Sequence, residues 1–316
     1  MSDPQNIANR PTIVYFGSGP LAAKSLQYLH THFSVEAVIT KPRAKHHKGP
    51  VPVIEFCETH KLRYFTPATK LELSELFRHT SFTSRLGIVI DYGIIIEREV
   101  IDSFPLGIIN SHFSLLPEWR GADPITFSLL SGQTVTGVSL MLINEKMDEG
   151  ALLAQAESPI TPETTTPQLT EQLLDISNAL LSEIVPSYIA GMLQPVPQTS
   201  NILGVQKPSY SRKLTKADSV LDWQKSAEQL EREVRAFAEW PKSRTALGQV
   251  DVTVTKAQAI PVISTEQVGK VRIDATAGVI EVTCGKGRLR LHALKPSGKN
   301  EMSTAEFIRG YSSRLA

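Results

Sequence analysis

Asn110 and His112 stand two residues apart at the end of the apolar run Leu106-Gly107-Ile108-Ile109. Side chains i and i+2 of an extended chain project to one side, so an amide and an imidazole are aimed at a single point. A carboxylate follows in the polar loop Asn144-Glu145-Lys146-Met147-Asp148-Glu149-Gly150. An acid brought beside His112 would orient the ring and make it a better donor to an oxygen that turns negative during reaction. Each residue also has a plainer use: Asn at a strand end and Asp-x-Gly form turns, and a single His is often a satisfied polar group. Spacing alone leaves both readings open.

The elements that must position these residues are legible as alternation. TIVYF, VEAVIT, LGIVI and LGIIN are short apolar runs, and PLAAKSLQYLH and VPVIEFCETH between them are amphipathic. Repetition of this kind predicts a parallel sheet covered by helices, with ligands at the carboxyl ends of its strands. The spacing from about Thr165 to Ala190 predicts a long helix, followed by a Gly-, Pro-, Gln- and Ser-rich linker to Ser211. SAEQLEREVRAFA then predicts an amphipathic helix, and QVDVTVTKAQAI, GKVRI, GVIEVTC and GRLRLHAL predict a small β-barrel. Ser303-Thr304-Ala305-Glu306 has the spacing of a capping box and opens a last helix. The expected class is therefore α/β: a Rossmann-like domain over 1–190, a basic linker over 191–211 and an OB-like barrel domain over 212–316.

Gly17-Ser18-Gly19-Pro20-Leu21-Ala22 has the context of a dinucleotide-binding turn. The acidic residue that would hold a ribose is missing at the end of the second strand, which reads Val38-Ile39-Thr40-Lys41. Close packing of helix on strand is the preferred account of these small residues. The two cysteines, Cys57 and Cys284, lie in different halves, and no Cys/His pair has zinc spacing, so neither a disulfide framework nor a metal is expected. No apolar run approaches the ~20 residues of a membrane span, and MSDPQNIANRPT has no signal-peptide core, so the chain is expected in the cytoplasm. Residues 1–206 carry 14 Lys and Arg against 20 Asp and Glu, whereas 207–316 carry 19 against 12. A net −6 followed by a net +7 makes the second half a candidate for binding a polyanion, against the alternative of chance variation in surface charge.

The segment Asn110-Ser111-His112-Phe113-Ser114-Leu115-Leu116-Pro117-Glu118-Trp119-Arg120-Gly121, with Asp148 downstream, resembles the signature of the folate-dependent formyltransferases. The similarity continues through Lys213-Leu214-Thr215-Lys216, Asp222-Trp223, Arg235-Ala236-Phe237-Ala238-Glu239-Trp240-Pro241 and Leu294-Lys295-Pro296-Ser297-Gly298-Lys299. It implies that Asn110 and His112 bind the formyl oxygen of 10-formyltetrahydrofolate and that Asp148 pairs with His112 and helps pass protons through water. Ser114, Leu115, Leu116, Pro117, Ile108 and the stretch Tyr92, Gly93, Ile94, Ile95, Ile96 would line the folate, together with the loop from Asn144 to Asp148. The implied acceptor is the amino group of initiator methionyl-tRNA. The loop Lys41-Pro42-Arg43-Ala44-Lys45-His46-His47-Lys48-Gly49 resembles the basic loop that reaches the acceptor stem. Its Lys41, Arg43, Lys45 and Lys48, followed by Lys207, Arg212, Lys213 and Lys216, would form the tRNA track of an enzyme expected to be monomeric.

Three features depart from the family pattern. The basic loop is short, Asp91 replaces a small apolar residue, and Phe113 replaces a compact one. A formyltransferase for an amino sugar nucleotide is the nearest rival, disfavoured by the basic loop, linker and barrel. A silent RNA-binding protein on the same scaffold is the second; it would have no use for a converging amide, imidazole and carboxylate.

Overall fold

The computed structural model describes residues 10–44, 49–200 and 207–315. They form two compact units that interleave along the chain: 1–121, 137–158 and 172–210 in one, 122–136, 159–171 and 211–316 in the other. Each unit therefore draws on three stretches of sequence.

The first unit is built on β1 (Thr12–Gly17), α1 (Gly19–His32), β2 (Ser34–Ile39), α2 (Pro52–His60), β3 (Tyr64–Phe65), α3 (Lys70–His79), β4 (Gly87–Ile90), α4 (Arg98–Ile101), β5 (Ile108–His112) and β6 (Arg120–Gly121). α5 (Pro124–Ser131) belongs to the second unit, after which the first is completed by β7 (Val135–Leu142), β8 (Leu152–Pro159) and most of α6 (Thr166–Ile189). Its sheet has the order β3-β2-β1-β4-β5-β7-β8. β1 runs parallel to β2 on one side and to β4 on the other, so the winding reverses between β1 and β4. β1 and β4 are buried on both faces, as central strands of a helix-covered sheet must be, which is why Ile13-Val14-Tyr15-Phe16 and Ile88-Val89-Ile90 read as unbroken apolar runs.

The parallel expectation is correct through β5 and then needs revision. β7 runs antiparallel to β5, pairing Asn110 with Met141 and His112 with Ser139. A strand's direction is set by its connection, α5 with its short loops, and leaves no trace in the alternation of the strand itself.

The packing account of the glycine-rich turn is visible at Gly17. A Cβ there would lie 2.6 Å from a ring carbon of Tyr15 and 2.7 Å from the Cβ of Ala22. The Tyr15 hydroxyl donates to the Ala22 carbonyl at 2.8 Å, tying α1 down on β1. The turn's Ser18 N–H is bonded to the Asp91 carbonyl at 3.1 Å and its hydroxyl accepts the Lys41 N–H at 3.1 Å.

The second unit opens after β9 (Tyr210–Ser211) and contains α7 (Ala227–Ala236), β10 (Ser243–Leu247), β11 (Val250–Ile260), β12 (Val271–Asp274), β13 (Val279–Thr283), β14 (Arg288–Pro296), β15 (Met302–Ser303) and α8 (Thr304–Tyr311). The antiparallel sheet runs β10-β11-β14-β13-β12, with β15 added on β14. Leu230 and Val234 of α7 and Phe307 and Ile308 of α8 bury their side chains with Val252, Val282, Leu289 and Leu294 of the strands. Both helices begin at capping boxes, Ser226 with Gln229 and Ser303 with Glu306.

Candidate active site

β5 delivers the two leading side chains. Asn110 is half-buried at the third position of the strand and His112 is buried at the fifth, with 6% of its side-chain surface exposed. Ser111 between them points the other way and shares a 2.6 Å hydrogen bond with Ser177 of α6. Among the described residues, the Asn110 side chain makes no hydrogen bond, so its amide is uncommitted.

His112 is held by the loop that follows it. Its Nε2 lies 2.9 Å from the carbonyl oxygen of Trp119, which can only accept, so Nε2 is the nitrogen that carries the proton in the neutral ring. Nδ1 faces the Asp148 carboxylate at 3.8 Å, beyond hydrogen-bonding distance. Nδ1 is thus the ring nitrogen left without a hydrogen bond, with the carboxylate before it.

Asp148 reaches this place in the left-handed region, at φ 53°, in the loop after β7. Its Oδ2 accepts the Gly121 N–H at 2.8 Å. Gly150 permits the return of the chain, because a Cβ there would fall 1.6 Å from the Leu142 carbonyl oxygen. The loop between β5 and β6 is fixed in its turn by Ser139, which donates to the Ser114 carbonyl at 2.6 Å and accepts the Leu116 N–H at 2.9 Å.

The expected folate-lining residues fall into two groups. Ser114, Leu115 and Leu116 are buried, and the Ser114 hydroxyl is spent on the Glu118 carbonyl at 2.6 Å. Pro117 follows a cis peptide. Ile108 is fully buried, so its side chain presents no surface to a ligand. In the second group Tyr92 is buried against Phe16, with its hydroxyl unpartnered among the described residues. Ile94 and Ile96 are partly buried on the same cluster, and Ile95 is exposed. Gly93 has φ 67°, and a Cβ there would meet the Lys41 amino group at 2.6 Å. Asp91 is exposed at the end of β4, and Phe113 is buried.

Of the expected tRNA contacts, Lys45 and Lys48 lie outside the described residues, Lys41 is half-buried and Arg43 is exposed. Lys207, Lys213 and Lys216 are exposed and have no ion-pair partner among the described residues. Arg212 is different: its guanidinium is engaged by Asp218 and lies 6.0 Å from the ring centre of Phe127.

Sequence reasoning missed what holds the Asp148 loop in place. Trp119 and Gly121 act through their backbones, which no side-chain pattern reveals. Arg120 places its Nη1 3.2 Å from Glu149, and Gln198 contributes from the stretch read as linker. The Arg120-Gly121 dipeptide was visible at the end of the motif; Gln198 had no signal. No group of three or more His, Cys, Asp or Glu side chains that could hold a metal occurs among the described residues.

An amide and an imidazole on one strand, with a carboxylate brought in by the loop after β7 of a doubly wound sheet, are groups that can bind an oxyanion and move a proton. The chain belongs to the formyl transferase family, whose N-terminal model matches residues 13–185 and whose C-terminal domain model matches 213–312. It is similar to the methionyl-tRNA formyltransferase of Halorhodospira halophila, 37% identical over 94% of this chain and 96% of that protein. The enzyme of the same name from Myxococcus xanthus is 35% identical, over 96% of each. Among solved structures, the N-formyltransferase of Helicobacter canadensis with folinic acid and dTDP-3-aminofucose has a similar fold, with a TM-score of 0.65 at 17% identity over 89% of this chain and 98% of that one.

Proposed function

We propose that this protein transfers the formyl group of 10-formyltetrahydrofolate to the amino group of initiator methionyl-tRNA, acting as a monomer in the cytoplasm. The observation that carries the reading is His112 Nδ1 facing the Asp148 carboxylate at 3.8 Å, two residues along the strand from the uncommitted Asn110 amide. Similarity to methionyl-tRNA formyltransferases along the whole chain selects the acceptor. Among the described residues no helix is long and apolar enough to cross a membrane.

The amine nitrogen attacks the formyl carbon, and the carbonyl electron pair moves onto oxygen. Asn110 donates to that oxygen from its amide N–H, and His112 Nδ1 takes the proton that the amine gives up. The ring can do so because its other nitrogen is already committed to Trp119. Once protonated, the ring faces Asp148 and donates to the oxyanion or, through water, to the departing folate nitrogen as its bond to the formyl carbon breaks. A cosubstrate that presents a polar carbonyl fits the unspent Asn110 amide, and the partly buried Ile94, Ile96 and Ile143 offer apolar surface to its ring. Tyr92 to Ile96, Ile108 through its backbone, and Ser114 to Pro117 form the folate side. Lys41, Arg43, Lys45, Lys48, Lys207, Lys213 and Lys216 supply the tRNA side, with Arg212 contributing from its pair with Asp218.

Formylation assays with charged initiator and elongator tRNA, run beside amino sugar nucleotides, test the proposal. Formyl transfer to methionyl-tRNA is expected; transfer to the sugar amine alone overturns it.

A further inference from the structure

We propose that Gln198 is a positioning residue for formyl transfer, acting through Asp148. This rests on the role given to Asp148 above. Gln198 lies between α6 and β9, in a stretch with the composition of a linker, yet it is 9% exposed. Its Nε2 donates to the carbonyl oxygens of both Asp148, at 2.7 Å, and Gly150, at 3.0 Å. Its Oε1 accepts Nη2 and Nε of Arg120 at 2.7 and 3.2 Å. The third guanidinium nitrogen, Nη1, lies 3.2 Å from the Glu149 carboxylate.

An amide has two N–H donors and one carbonyl oxygen, and every one is used here. The reverse orientation would set N–H against guanidinium and oxygen against two carbonyls, so the network allows only one. Three consecutive residues are thereby fixed from outside the loop: Asp148 and Gly150 by their carbonyls, Glu149 by its side chain. Such fixing is needed, because Asp148 has a left-handed backbone that persists only where its surroundings determine it. The carboxylate is held at its far end by Gly121, the residue after Arg120. Gln198 and Arg120 thus couple the two loops that define the distance from Asp148 to His112.

Gln198→Glu separates this role from simple packing. It keeps the size and the arginine contact but turns an oxygen toward two carbonyl oxygens. Gln198→Met keeps the volume and removes all four bonds, and serves where the Glu variant does not fold. Each is expected to lower kcat about 10- to 100-fold, since displacing a catalytic group by about 1 Å costs that much, with KM for 10-formyltetrahydrofolate changed less than about threefold. The crystal structure of the variant is expected to show the Asp148 carboxylate withdrawn from the Gly121 N–H. A merely structural role would lower Tm and the yield of folded protein while leaving kcat per folded molecule intact. A kcat within about twofold of the parent, or an unmoved carboxylate, overturns the assignment. A parent protein unable to formylate methionyl-tRNA would sink the proposed function instead, and the carboxylate position would still be readable.

Discussion

At the scale of single residues, the site divides its labour through hydrogen-bond inventory. Trp119 takes one ring nitrogen of His112 and leaves the other facing Asp148 without a hydrogen bond. Gly121 donates to Oδ2 of Asp148, the same oxygen that lies 3.8 Å from Nδ1 of the ring. Removing one preorganised donor to an oxyanion costs about 3 to 4 kcal/mol, or about 10²- to 10³-fold in kcat. Asn110→Ala, His112→Ala and Asp148→Ala are each expected to show at least that loss in single-turnover formylation, and near-normal turnover by the His112 variant would remove it from the chemistry. A second titratable residue, His30, lies in the last turn of α1 beside Phe56 and His60. Burial, with His60 and Arg10 nearby, holds its imidazole below the ordinary 6.5, and its Nδ1 is buried without a partner among the described residues. The native state therefore favours the neutral ring, while the unfolded chain takes up a proton as pH falls through 6.5. The stability that His30 contributes is complete above that pH and declines below it. Melting temperatures measured from pH 7.5 to 5.5 should fall less steeply for His30→Phe than for the parent; equal slopes would rule His30 out as the source.

At the scale of elements, α1 sits close on β1 because Gly17 has no side chain. Gly17→Ala places a Cβ within 2.7 Å of both Tyr15 and Ala22. Overpacking of this kind costs about 1 to 3 kcal/mol, readable as a lower midpoint in urea unfolding. NADPH should leave Tm unchanged, since the Ser18 N–H of that turn is already bonded to Asp91; a rise in Tm with cofactor would restore the dinucleotide reading. The same elements show what a sequence can and cannot disclose. β1, α6, α7 and α8 were legible because periodicity and caps are local properties, written within a dozen residues. The spacing of Asn110 and His112 and the loop carrying Asp148 offered a catalytic reading beside plainer ones, and the resemblance favoured it for all three. The antiparallel course of β7 was hidden, because strand direction belongs to the connection. Gln198 was hidden for a stronger reason: its partners are Arg120, Asp148 and Gly150, and a contact across such separations leaves no pattern in Pro195-Val196-Pro197-Gln198-Thr199.

At the scale of the molecule, the charge of the two halves and the interleaving of the two units make different demands. The positive second half and its free lysines predict binding to tRNA that weakens with salt, because each phosphate neutralised releases counterions. Replacing Lys207, Lys213 and Lys216 together by Ala should flatten the slope of log K against log salt by about three units, and an unchanged slope would place the tRNA elsewhere. The chain passes between the units at 121, 136, 158, 171 and 210. α5 and residues 159–171 are interposed between stretches of the first unit in sequence yet fold with the second. A gene severed in the linker would therefore express a leading fragment with α5 orphaned and a trailing fragment with part of its own wall missing. Neither product should behave as a free-standing module, and swapping the trailing half between relatives as a cassette would succeed only where the donor's surface also accepts the host's α5.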